Sequence, residues 1–207
     1  MRRAAAQIDT AHAGSYGVRM LQTSVPLVNR HDYEEMPLGP PYFQVIEGDL
    51  VMSPSPNTFH QTIARRIVVL IDNFLKTHPL GEVFMAPLDV FLGDINVYQP
   101  DVFFVSNHRR SIITEQGIEG APDLVVETLS PGTARYDKGS KRKVYARFGV
   151  REFWLVDPET RTIQVYLLPK NSSTPAATHG EKAIFESSIL PGLRIKAASI
   201  FKSSLRK

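Results

Sequence analysis

Two acidic residues stand in this chain where an apolar strand has little use for them. In PDVFFVS (100–106) the two-residue period of a strand puts Asp101 on one face with Phe103 and Val105. In DLVVETL (123–129) it puts Glu127 on one face with Asp123, Val125 and Leu129. A carboxylate among such neighbours must be ion-paired, protonated or bound to a metal. A buried ion pair explains one such residue. Two on successive apolar strands repel each other unless a cation lies between them. Hard oxygen ligands of this kind suit Mg²⁺ or Mn²⁺.

A third residue follows from helix geometry. On a wheel of about 100° per residue with Lys141 at zero, Phe148 falls at about −20°, Tyr145 at about +40° and Val144 at about −60°. Lys141 therefore lies within an apolar stripe, while Lys143 and Arg147 fall on the opposite side. A lysine aimed at a core wants a carboxylate or phosphate partner. The plainer alternative is that it snorkels past the helix end to water. Taken together, Asp101, Glu127 and Lys141 suggest metal-assisted phosphodiester hydrolysis. The acids would hold the metal, and the ammonium would orient water or offset developing charge.

Several elements must position these groups. Residues 26–37 predict a short helix, and 42–53 a hairpin turning at Glu47–Gly48. A helix begins at Asn57, a suitable N-cap, with Ile63, Ile67, Leu70 and Phe74 at helical spacing. Strands are expected over 82–92 (bent at Pro87), 100–106 and 122–130, with a short helix within 107–120. A helix over 137–148 stops at Gly149. Strands 152–158 and 161–168 form a hairpin; a polar loop (169–181), a last strand and the turn Leu190–Leu193 follow. This order implies an α/β fold with a mixed central sheet flanked by helices. Residues 1–25 lack hydrophobic periodicity and read as a flexible arm; 26–207 read as one domain.

Composition narrows the classes further. The 207 residues contain no cysteine, which excludes disulfides and thiolate metal sites. No apolar run approaches the roughly 18 residues of a membrane span, and MRRAAAQIDT has no apolar stretch of a secretory signal. A cytoplasmic protein with no membrane partner is expected. The net charge is only +3, yet Arg135, Lys138, Lys141, Arg142, Lys143, Arg147 and Arg151 face a single acid, Asp137. Such a patch, with Arg135, Lys138 and Arg142 as candidate contacts, suits a phosphate backbone; a solvated helix face is the plain alternative. A sugar hydrolase with paired carboxylates lacks its aromatic platform here.

At these residues the chain resembles a known family. GAPDLVVETLSP, then Asp137, Lys141 and Tyr145 at four-residue intervals, then GVREFWLVDP, closely resemble the Uma-type putative restriction endonucleases of the PD-(D/E)xK nuclease-like superfamily. VIEGDLVMSPSP with His60, QPDVFFVS and LPGL match as well, so the similarity runs from about 28 to 201. The resemblance implies a restriction-endonuclease-like core with an N-terminal hairpin and C-terminal strand additions. Pro100-Asp101 matches the PD element and Glu127 the second acid. Leu129 stands where the usual lysine would be, and Lys141 matches the lysine displaced to the following helix. The main-chain carbonyl after Glu127 is the usual extra metal ligand.

One departure is Gln44, at a position where the family often has a glutamate that serves as second-metal ligand or water positioner. Glu47 is a solvated turn acid. His60 either touches the substrate or Glu127, or makes a structural hydrogen bond. Asp123 is a supporting acid or a strand-end cap, Asp157 a turn residue. Tyr145 and Trp154 read as core, with Tyr145 also a possible supporting residue. The implied partner is DNA, and cutting both strands favours a homodimer.

Overall fold

The computed structural model describes residues 26–37, 39–130, 137 and 139–202. Arg135, Lys138 and the arm 1–25 therefore lie outside the described residues. The region starts with helix α1 (Arg30–Glu34), N-capped by Asn29. Strands β1 (Phe43–Ile46) and β2 (Asp49–Met52) follow as the expected hairpin. Glu47 and Gly48 turn it with φ of 51° and 86°, the left-handed pair that a two-residue hairpin loop requires. Helix α2 (Thr58–Leu75) begins as expected at Asn57, whose side chain accepts the His60 backbone N–H.

The chain then forms β3 (Gly81–Met85), β4 (Val90–Phe91), β5 (Val97–Tyr98), β6 (Val102–Ser106), a 3₁₀ turn at Asn107–Ile112, β7 (Ile118–Glu119) and β8 (Leu124–Thr128). After it come helix α3 (Ser140–Phe148), strands β9 (Glu152–Asp157), β10 (Thr162–Leu167), β11 (Ala177–Gly180), β12 (Ile184–Glu186) and β13 (Arg194–Lys196), and helix α4 (Ala197–Phe201). Gly149 closes α3 with φ of 94°, the left-handed C-cap that glycine adopts without cost.

A six-stranded sheet in the order β11-β10-β9-β8-β6-β3 forms the centre. It is mixed: β8 and β9 run parallel, the other neighbours antiparallel. Both faces are covered, as near-continuous apolar strands demand. Val102, Phe104, Leu124, Val126 and Trp154 pack on Ile63, Ile67 and Ile71 of α2 and on Ile200 and Phe201 of α4. Phe103, Val105, Val125, Phe153 and Leu155 pack on Val144 and Tyr145 of α3 and on Ile46, Val90 and Tyr98 of a second sheet. That sheet has the order β2-β1-β5-β4-β7.

The expected bent strand over 82–92 is two strands in two different sheets. Pro87 has no N–H to give a ladder, so the chain leaves β6 there and β4 pairs with β5 and β7 instead. The polar stretch 169–181 contains β11, and three short elements follow where one strand is expected. Edge strands such as ATHG carry too few apolar residues to show a period.

A further buried acid emerges on these strands. Glu152 is fully buried, accepting Trp154 Nε1–H at 2.7 Å and the Ser188 N–H at 2.8 Å, with the Ser188 hydroxyl donating to the same oxygen. Its partners are all neutral donors, and it ties β9 to the C-terminal segment. Glu152→Ala should cost about 2–4 kcal/mol by orphaning those donors. Urea denaturation followed by the fluorescence of Trp154, the single tryptophan, measures the loss.

Candidate active site

Strand register brings the two acids together. β6 and β8 pair with Val102 opposite Val126 and Phe103 opposite Val125, so one further step sets Asp101 across from Glu127. Asp101 Oδ2 accepts the Thr128 N–H at 2.7 Å and lies 3.1 Å from His60 Nε2. The same ring nitrogen is 3.0 Å from the Thr128 carbonyl oxygen. His60 reaches this point because it sits in the first turn of α2, whose cap at Asn57 holds the His60 backbone N–H at 2.9 Å. Burial pulls the His60 pKa down, but the hydrogen bond and charge of Asp101 outweigh it and hold the ring above its ordinary value.

Glu127 is engaged from the other side by α3. Its Oε1 accepts from Lys141 Nζ at 3.0 Å and from the Tyr145 hydroxyl at 2.7 Å. Lys141 Nζ also lies 3.2 Å from Asp137 Oδ1. Lys141 and Tyr145, four residues apart, share one side of α3, and Asp137 meets Lys141 from the segment before the Gly139 cap. Lys141 and Glu127 are both buried, their side chains 3% and 4% exposed, so the snorkelling alternative fails: the lysine's charge has carboxylates to meet. Burial works against that charge, yet Glu127 and Asp137 outweigh it and keep the ammonium above its usual range. Burial pushes the Glu127 carboxyl up to about 7, with Lys141 opposing and Asp137 and Asp101 adding. Burial, then Glu127, likewise raises Tyr145 well above its ordinary value.

Both clusters open onto one cleft of about 710 Å³, whose lining includes Gln44, His60, Gln99, Asp101, Glu127 and Lys141. Among the described residues, no three His, Asp or Glu side chains converge into a metal site by themselves. The donor chemistry nevertheless fits a hard divalent cation once the main chain is included. Among the described residues, the hydrogen bonds to the two acids fall on Asp101 Oδ2 and Glu127 Oε1, leaving Asp101 Oδ1 and Glu127 Oε2 uncommitted. The Thr128 carbonyl stands beside Asp101, bridged to it by His60.

The remaining candidates separate. Gln44 is buried in the cleft wall with both ends of its amide in use: Nε2 donates to Ser53 Oγ at 2.9 Å, and Oε1 accepts the Gln99 N–H at 3.2 Å. Asp123 is outside the cleft lining; its Oδ2 accepts the Ser106 N–H at 2.8 Å and its Oδ1 is 3.5 Å from Arg151. Arg142 lays its guanidinium over the Tyr166 ring, 4.6 Å from the centroid, also away from the cleft lining. Lys143 and Arg147 are exposed, but Phe148, which the wheel puts on the buried stripe, is 36% exposed at the end of α3. Sequence reasoning passed over Asp137 as a partner, and it reached the Thr128 carbonyl only as the carbonyl after Glu127 that the family resemblance implied. An acid one turn before a core lysine was the available signal for the first; nothing in a side chain signals the second.

Two outcomes follow from this geometry. Lys141→Ala should lower stability at neutral pH by about 3–5 kcal/mol by stranding the buried Glu127 carboxylate, and the loss should shrink towards pH 5 as Glu127 protonates. Urea denaturation across pH measures it. Since the folded pKa of Glu127 lies above its ordinary 4.5, its protonated form stabilises the fold below 4.5, and that contribution is lost as pH rises through about 7. Glu127→Gln should flatten the pH dependence of the melting temperature over that window.

The comparisons with known proteins agree with this architecture. Residues 30–198 match the family described as Uma2, putative restriction endonuclease. The fold is similar to the crystal structure of a putative nuclease belonging to DUF820 from Anabaena variabilis ATCC 29413, with a TM-score of 0.68 and 22% identity over 83% of this chain and 96% of that one. At that identity the likeness concerns the fold alone. No curated protein matches the chain significantly, and no helix among the described residues is long and apolar enough to cross a membrane. With the match spanning most of its length, the chain belongs to the Uma2 family of putative restriction endonucleases.

Proposed function

We propose that this chain is a metal-dependent endonuclease that hydrolyses phosphodiester bonds in DNA. The observation that carries the reading is a charged lysine, buried against Glu127, beside a second acid set across from Glu127 on the wall of one cleft. Asp101, Glu127 and the Thr128 carbonyl would hold Mg²⁺ or Mn²⁺. When bound, the ion would supply Lewis acidity at a phosphate oxygen and a more acidic water.

The other groups have distinct tasks in this reading. Lys141 keeps its proton, so it serves as a fixed positive charge towards the reacting phosphate rather than as a base. The Tyr145 hydroxyl and the Lys141 ammonium hold one oxygen of Glu127, which fixes how the other is presented. The Thr128 N–H does the same for Asp101. The basic segment with Arg135 and Lys138 would follow the phosphate backbone, and Arg142 would have to leave Tyr166 to join it. A cytoplasmic homodimer is the assembly that cutting two strands calls for.

Gln44 favours a second reading, a relative that binds nucleic acid without cutting it. Its amide is neutral and already bonded to Ser53 and Gln99, so it adds no charge to a metal shell. Incubation with supercoiled and linear DNA separates the two. Nicking in Mg²⁺ or Mn²⁺ that chelation abolishes, and that falls about 100-fold or more in Asp101→Ala, Glu127→Ala and Lys141→Ala, is expected. Undiminished cleavage by Glu127→Ala would sink the nuclease reading. Salt-sensitive DNA binding with no cleavage and no metal uptake would establish the second.

A further inference from the structure

The floor and the lip of the cleft differ in chemistry. Asp101 and Glu127 are withdrawn from solvent, their side chains 18% and 4% exposed, so a phosphate reaches them only by entering the recess. The lining also carries Pro41, Tyr42, Met52, Pro54, Pro56 and Pro87, and all six are exposed. The Tyr42 side chain has no hydrogen bond or ring contact among the described residues. Its position is set by the backbone: its carbonyl accepts the Ser53 N–H at 2.8 Å. Two residues on, Gln44 bonds Ser53 Oγ and the Gln99 N–H, just ahead of Asp101. Among the described residues of the lining, Lys141 is the single lysine or arginine, and it is engaged by Glu127 and Asp137. A surface that follows a duplex needs several such cations for its phosphates. This lip offers flat apolar faces instead.

Resting on the phosphodiester site just proposed, we propose that the cleft takes an unpaired nucleotide, so that the substrate is DNA single-stranded at the cut, with Tyr42 stacking on the base. A nucleotide has the same two ends as the cleft, a charged phosphate and a flat ring. A volume of about 710 Å³ lies in the range that encloses one small ligand. A paired duplex would first have to extrude a nucleotide to fill it, at the cost of unstacking and unpairing. Single-stranded DNA has no such cost. An exposed tyrosine suits any base, because every base has a π-face, so the platform selects for strandedness and not for sequence. Gln61, exposed on the same lining, adds an amide donor and acceptor for a base edge.

Fluorescence anisotropy of the full chain with labelled DNA, in chelator so that no cut intervenes, tests this apart from cleavage. The probes are a single strand of about 12 nucleotides, its perfect duplex, and a duplex with a central unpaired bubble. Wild type should bind the single strand and the bubble about tenfold or more tightly than the perfect duplex. Tyr42→Ala should lose about tenfold on those two probes and less than about threefold on the duplex. Tyr42→Phe keeps the ring and should stay within about threefold of wild type on every probe. Circular dichroism checks that both variants keep the fold. Duplex binding as tight as that of the single strand, or Tyr42→Ala binding like wild type, overturns the proposal. A second assay in Mn²⁺ separates it from the nuclease reading. If perfect duplex is cut as fast as single strand, and Asp101→Ala stops the cutting, the nuclease reading stands and this substrate falls. If the single strand is bound through Tyr42 but no DNA is cut, the nucleotide site stands and the nuclease reading falls. If no DNA binds, both fall.

Discussion

The buried ammonium of Lys141 is the constraint around which the rest of the site is arranged. An ammonium removed from water is costly unless carboxylates meet it within a few ångströms. Here two do, Glu127 from the central sheet and Asp137 from the segment just before α3. Satisfying that charge sets the rotation of α3, because only one face of the helix can present Lys141 and Tyr145 to Glu127 together. The same rotation buries Val144 and Tyr145 against Tyr98 and Phe153, so packing and electrostatics require a single docking. An arrangement with fewer demands would leave the helix free to slide or turn.

Glu152 shows why burial alone does not identify a functional acid. Like Glu127 it lies on an apolar strand, and it is equally withdrawn from solvent. Its oxygens are taken by neutral donors on Trp154 and Ser188, and it faces the packed C-terminal segment instead of the cleft. Among the described residues, Glu127 meets a cation and a phenol on one oxygen, with the cleft beside it. What distinguishes the two is the partner set and the access, and both are products of the fold.

The cleft forms where elements from different parts of the chain end together. The first turn of α2 supplies His60, the approach to β6 supplies Asp101, the end of β8 supplies Glu127 and Thr128, and α3 supplies Lys141. The β1–β2 hairpin closes the opposite wall through Gln44 and Ser53. Each contributor is anchored by its own local device: the Asn57 cap, the β6–β8 register, the Gly149 stop. Rigid elements hold a catalytic geometry better than loops do, because their rotamers are locked by packing.

The sequence by itself determined what period and residue chemistry can express. Alternation on 100–106 and 123–129 exposed Asp101 and Glu127 as misfits, and the helical wheel turned Lys141 inward, because both signals are local and repeat every 2 or about 3.6 residues. The Glu47–Gly48 turn and the Asn57 cap were legible for the same reason. Only the tertiary structure decided the rest. Pro87 divides one apolar run between two sheets, and the two-residue strands β4, β5 and β7 exist only through their neighbours. His60 meets Asp101 and the Thr128 carbonyl across 41 and 68 positions of chain by virtue of where α2 docks, and a carbonyl carries no side-chain signature at all. Which misfit becomes a site depends on what else arrives beside it, and arrival is a property of packing rather than of pattern.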